Sequence, residues 1–125
     1  MADHNELGAW GESVAREYLI AKGYAIAAEN VKAAGVEIDL IATHADRICF
    51  VEVKTRRDDF IDPLEAIDQR KRARLVKVAD SWMRQYENLP LDPQFDIIII
   101  IGVPGSYTLE HIPDAFYPGL TNYRG

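Results

Sequence analysis

The chain has 125 residues, enough for one domain with a real core and too few for two. Its 48% hydrophobic and 27% charged residues exclude disorder, and its longest apolar run, Ile97 to Ile101, excludes a membrane-spanning helix. The net charge of −6 speaks against a nucleic-acid partner until its distribution is considered, because eight of the fourteen basic residues fall between residues 54 and 77.

The N-terminus is polar and acidic, without the apolar region of a signal peptide. A helix is predicted from Glu6 to Lys22, with Leu7, Trp10, Val14, Ala15, Tyr18 and Leu19 as its apolar stripe, Asp3 and Glu6 as a capping box, and Lys22-Gly23 as its stop. On its wheel Glu12 falls between Gly8, Ala15 and Leu19, a core-facing border that is unusual for an acid. Tyr24 to Val31 reads as a first strand. Residues 36–43 and 47–55 form a hairpin closed over Ala45-Asp46, with single Cys49 mid-strand. One cysteine excludes disulfide scaffolding and points to a reducing, cytoplasmic setting, with Cys49 as a small core residue.

Asp58 to Asp62 is a polar loop. Asp62, Pro63 and Glu65 then supply an N-cap, a first-turn proline and a capping glutamate for a helix reaching Tyr86. Phe95 to Val103 is almost wholly apolar, as in a strand covered on both faces. Pro104-Gly105 makes a turn, Tyr107 to Ile112 a short final strand, and the last thirteen residues look irregular. The order is α-β-β-β-α-β plus one short strand, a single α/β domain (1–125) with a mixed sheet flanked by helices.

The charges inside the hairpin point to chemistry. Side chains alternate along a strand, so Glu37 and Asp39 share one face, as do Glu52 and Lys54. Closure over Ala45-Asp46 sets Asp39 opposite Glu52 and Glu37 opposite Lys54. Charges in strands made of Ile, Val, Phe and Leu are costly unless paired or metal-bound. Asp39 and Glu52 could hold Mg²⁺ or Mn²⁺ through oxygen, with the Val53 carbonyl as a third ligand, and Lys54 could orient a water or stabilise a phosphoryl transition state. Thr55, Arg56, Lys71 and Arg74 are the candidate phosphate contacts. The alternative is a satisfied ion-pair cluster on a solvent-facing sheet, with the basic helix face merely solvated. His4, His44, His111 and Cys49 show no zinc spacing, and no Gly-rich phosphate loop or nucleophile elbow is present. His44 reads as a solvated turn residue, and Trp10, Trp82 and Tyr86 as core or boundary residues.

Residues 8–15, Asn30, residues 37–42, residues 50–56, residues 63–68, Lys71, Arg74-Leu75 and Phe95-Asp96 resemble the YraN-like family, in order across about residues 5–112. That bacterial family is placed in the PD-(D/E)XK nuclease superfamily, near archaeal Holliday-junction resolvases. The resemblance implies a restriction-endonuclease-like fold, metal ligation by Asp39 and Glu52, Lys54 as catalytic lysine, Glu12 as an acid on the first helix and Glu37 as a supporting residue. It implies a Mg²⁺-dependent endonuclease acting on nucleic acid, with DNA as the expected substrate, and suggests a homodimer. A non-catalytic nucleic-acid-binding or scaffold protein keeping the same fold is the competing class. The chain departs from the family pattern at three positions: Ile38 replaces the superfamily proline, Val36 replaces a glycine (Gly35 comes one position early), and Gln94 replaces an arginine.

Overall fold

The computed structural model describes residues 4–33, 35–58, 69–84 and 91–116. Helix α1 (His4–Ala21) is followed by strands β1 (Ala25–Ala33), β2 (Val36–His44) and β3 (Arg47–Arg56), helix α2 (Gln69–Arg84), and strands β4 (Asp92–Val103) and β5 (Ser106–Phe116). The five strands form one sheet in sequence order, antiparallel except for the central parallel pair β3–β4. The observed order, α-β-β-β-α-β-β, differs slightly from the predicted α-β-β-β-α-β: the last strand is a full member of the sheet, eleven residues long rather than a short appendage. The capping signals at Asp3, Asp62, Pro63 and Glu65, and the predicted helix end at Tyr86, lie outside the described residues. Among the described residues no helix is long and apolar enough to cross a membrane.

Among the described residues each face of the sheet carries one helix. Strand β4 shows why: Phe95, Ile97 and Ile99 pack with Leu75, Val78 and Ala79 of α2, while Ile98 and Ile100 pack with Ala15 and Leu19 of α1. A strand buried on both sides has no polar face to display, hence the unbroken isoleucine run. Cys49 is a buried core residue on the α1 side. Phe50 and Phe95 stack at 5.5 Å on the α2 side, and Trp10 meets Tyr107 edge to face at 5.3 Å on the other.

The approach of α1 to the sheet depends on Gly11, where a β-carbon would collide with the Thr55 side chain. Gly11→Ala is therefore expected to lose about 1–3 kcal/mol through overpacking, and adding Thr55→Ala should restore part of that loss. Urea denaturation measures both, and a neutral Gly11→Ala would refute this seating of α1.

The hairpin register follows the sequence. His44 pairs with Arg47 and Leu40 with Val51, with Ala45 taking a left-handed φ of 56° in the turn. Within β2, regular alternation fails at Asp39. Ile38 and Ile41, three residues apart, both face α2, and Leu40 faces α1. Their β1 partners Val31 and Ala28 flank Asn30, whose φ is 54°. The pleat therefore breaks at Asn30 and Asp39 together, a bulge-like irregularity of the kind that re-aims side chains.

Candidate functional site

The β2–β3 ladder is registered only as far as Leu40–Val51, whereas β3 runs on beside β4 to Arg56–Ile101. Beyond Val51 the two strands of the hairpin fork. The backbone N–H of Val53, which β2 would otherwise have taken, donates instead to Asp39 Oδ2 at 2.7 Å. A side chain has replaced a rung of the ladder, and this satisfies the buried donor.

Glu52, 6% exposed, lies beside this bond. Its Oε2 accepts from Lys71 Nζ of α2 at 2.6 Å and lies 3.4 Å from Lys54 Nζ on its own strand. Asp39, Glu52, Glu37, Lys71 and Arg74 line one open cleft of about 360 Å³ between the fork and the start of α2. Burial first, and then the charge of Glu52, pushes the Asp39 carboxyl up to about 7. The Val53 N–H acts in the opposite sense, and Glu12 and Glu37 add to the rise. Asp39 and Glu52 line the same cleft, and the charge of Glu52 adds to burial in disfavouring the ionised form of Asp39.

Glu12 approaches from α1. Two carboxylates flank the Asn30 amide, so its nitrogen faces them and donates to Glu12 Oε1 at 3.0 Å and to Glu37 Oε2 at 2.8 Å. Burial, then the charges of Glu37, Glu29 and Glu52, raises the Glu12 pKa above the ordinary carboxylate range. The left-handed Asn30 is thus the pin that holds the acid of α1 against the acid of β2.

Several expectations need correction. Glu37 is not opposite Lys54: it pairs with Lys32 across β1 and is held with Glu12 by Asn30, because β2 has already left β3 at that level. Thr55 is not with the cations of α2; it packs against Gly11, on the α1 side of the sheet with Val53. Lys71, a candidate phosphate contact, is ion-paired with Glu52. Arg56 is exposed at the end of β3, with its guanidinium donating to the Thr55 carbonyl at 3.2 Å. His44 is not merely solvated: its ring stacks on Tyr24 at 4.7 Å.

Sequence reasoning missed a second polar centre on the α1 side. Asp96, 1% exposed, accepts from Gln94 Nε2 at 2.9 Å and from Asp114 N at 3.2 Å on one oxygen, and meets His111 Nε2 at 2.8 Å on the other. His111 Nδ1 lies 3.0 Å from the Tyr18 hydroxyl, and Arg47 donates to Gln94 at 2.8 Å. Gln94 is therefore buried and structural, passing the Arg47 guanidinium on to Asp96. The signal was an acid next to an isoleucine run, with a histidine in the facing strand. The β4–β5 register shifts at Asp96, so simple pairing did not bring the two together.

Among the described residues no group of three or more His, Cys, Asp or Glu is disposed to hold a metal ion. A divalent cation at the fork would rest on two carboxylates, as Mg²⁺ commonly does while keeping several waters.

Residues 11–100 match the family described as Uncharacterised protein family UPF0102. The chain is 41% identical to a UPF0102 protein of Bacteroides thetaiotaomicron over 121 residues, covering 96% of this chain and 99% of the relative. A UPF0102 protein of Parabacteroides distasonis is 42% identical over 118 residues (94% and 97%), and one of Caldanaerobacter subterraneus subsp. tengcongensis 42% over 114 residues (88% and 93%). The chain belongs to the UPF0102 family. The span matched to UPF0102 contains Glu12, Asn30, Asp39, Glu52, Lys54, Lys71 and Arg74, and stops short of His111.

Proposed function

We propose that this chain is a divalent-metal-dependent nuclease of the PD-(D/E)XK type, with a restriction-endonuclease-like sheet, that hydrolyses phosphodiester bonds in DNA. The observation that carries the reading is the fork itself: Asp39 and Glu52 lie together where the hairpin opens, beside two lysines and below a cationic helix start. A buried carboxyl lifted to about 7, by burial first and then by the charge of Glu52, is more than a structural ion pair needs. Such a carboxyl is the mark of a site built for a cation or for proton transfer.

The oxygen-only donor set fits Mg²⁺ or Mn²⁺, with Asp39, Glu52 and the Val53 carbonyl as the groups that would hold it. When bound, the metal supplies a more acidic water and neutralises charge on the phosphoryl group. Lys54, on the strand that carries Glu52, orients the attacking water or stabilises the developing negative charge. Glu12 and Glu37, fixed by Asn30, would form an outer acidic wall beside the groups that would hold the metal. Arg56 and Arg74 contact the phosphodiester backbone, placing the strand across the cleft.

A second reading has one observation in its favour. Glu52 is already neutralised by Lys71 and Lys54, as expected of an inert scaffold that binds nucleic acid without cutting it. The two readings separate on labelled branched, linear and single-stranded DNA and RNA incubated with Mn²⁺, run beside calorimetric titration of Mn²⁺ into the protein. Metal binding with cleavage that EDTA stops supports the nuclease. Nucleic-acid binding with neither metal binding nor cleavage supports the scaffold.

A further inference from the structure

Glu52 is nearly inaccessible to water, and a buried carboxylate must be compensated by a partner. Its partner at 2.6 Å is Lys71, in the first turn of α2, with Lys54 further off at 3.4 Å on the same oxygen. Lys71 is thus seated on an oxygen that the metal-site reading assigns to the cation. A divalent ion bound to Oε2 would put two positive charges next to an ammonium sharing that oxygen, a strong repulsion in a partly desolvated cleft. Lysine carries its charge on a flexible four-carbon stem, so a change of rotamer is enough to relieve it. The Lys71 side chain is 30% exposed at the cleft, and Arg70 and Arg74 of the same helix line that cleft too. An ammonium leaving Glu52 therefore joins a ready row of cations.

We propose that Lys71 is an internal counterion of Glu52 that a divalent cation displaces, and that the released ammonium then contacts phosphate, coupling cation and nucleic-acid binding. This inference rests on the metal-site reading and adds to it an order of events. The metal-free site is closed by its own lysine, and loading the metal adds a positive contact on α2. By linkage, a phosphate backbone that holds Lys71 away from Glu52 tightens the metal in turn.

The test is calorimetric titration of Mn²⁺ into the parent, Lys71→Met, Lys71→Gln and Arg74→Met, followed by binding of a cleavage-resistant phosphorothioate duplex across a salt series. Both Lys71 variants should bind Mn²⁺ about 10-fold more tightly, a typical coupling factor, and Arg74→Met, which removes a nearby charge not on Glu52, should change it about twofold or less. In EDTA the parent and Lys71→Gln should share one salt slope. With Mn²⁺ the parent slope should be steeper by about 0.9, the value of one extra phosphate contact. Equal tightening in the Lys71 and Arg74 variants would overturn the proposal in favour of a diffuse charge effect. Unchanged or weaker Mn²⁺ binding in both Lys71 variants would also overturn it, as would a slope difference already present in EDTA. A parent that binds no Mn²⁺ would instead remove the metal site itself, and this inference with it.

Discussion

Asparagine at position 39 should abolish metal-dependent cleavage and, at the same time, make the metal-free protein more stable. Asp39→Asn keeps an oxygen for the Val53 N–H and removes the charge that faces Glu52. Loss of a metal ligand is expected to slow cleavage about 10³-fold or more, equivalent to about 4 kcal/mol of transition-state stabilisation. The stability change follows from the direction of the shift. The folded carboxyl titrates near 7 and the unfolded one near its ordinary value of 3.8, so between those values the folded chain holds a proton that the unfolded chain has lost. That stabilisation is fully present below about pH 4 and is gone once the pH has risen through 7.

In EDTA the parent should therefore lose stability between pH 5 and pH 8, and Asp39→Asn should not show that loss. At pH 8 the variant should be the more stable by about 2–4 kcal/mol. Mg²⁺ should then raise the melting temperature of the parent alone, since only the parent would bind it. Melting curves across pH, with and without Mg²⁺, measure this directly. A variant less stable than the parent at pH 8 would contradict the strained carboxylate pair. A variant that cleaves at the parental rate would remove Asp39 from the mechanism.

The largest purely structural loss is expected at His111. The Asp96 side chain is fully buried, and a carboxylate can only accept, so His111 Nε2 carries the proton between them. His111→Ala leaves that carboxylate on two neutral donors, Gln94 and the Asp114 backbone. Breaking a buried pair from one side costs about 3–5 kcal/mol, because the Asp96 oxygen that faced His111 is left without its partner and out of reach of water. Tyr18→Phe, which removes only the outer hydroxyl, should cost about 1 kcal/mol. Urea denaturation of both variants separates the two magnitudes. A loss below about 1 kcal/mol for His111→Ala would mean that Asp96 is compensated in some other way. Metal binding at the fork should survive in Tyr18→Phe, since none of this network bonds to Asp39 or Glu52.

Much of the frame was legible because it depends on local rules. The two-residue connection at Ala45-Asp46 fixes the register from His44–Arg47 to Leu40–Val51, and the run from Ile97 to Ile101 can only be a strand buried on both faces. Glu12 was picked out by its place on the helical wheel, and Glu52 and Lys54 by their cost within an apolar strand. These properties repeat every 3.6 or every 2 residues, so neighbours along the chain reveal them.

The arrangement at the fork was decided by tertiary structure. Extending perfect alternation through Asp39 put Glu37 opposite Lys54, but the pleat breaks where Asn30 turns left-handed, and β2 leaves β3 at that point. A single left-handed residue in one strand re-aims side chains in the next, and no periodicity records it. Likewise, the helical pattern exposes the cations of α2 without telling which one reaches a strand nineteen residues earlier. The docking of α2 over Ile38 and Phe50 brings Lys71 to Glu52. The meeting of Asp96 with His111 depends on a register shift between β4 and β5. Sequence periodicity determined which residues are buried and which charges are out of place; the departures from periodicity, set by packing between elements, determined which of those charges meet.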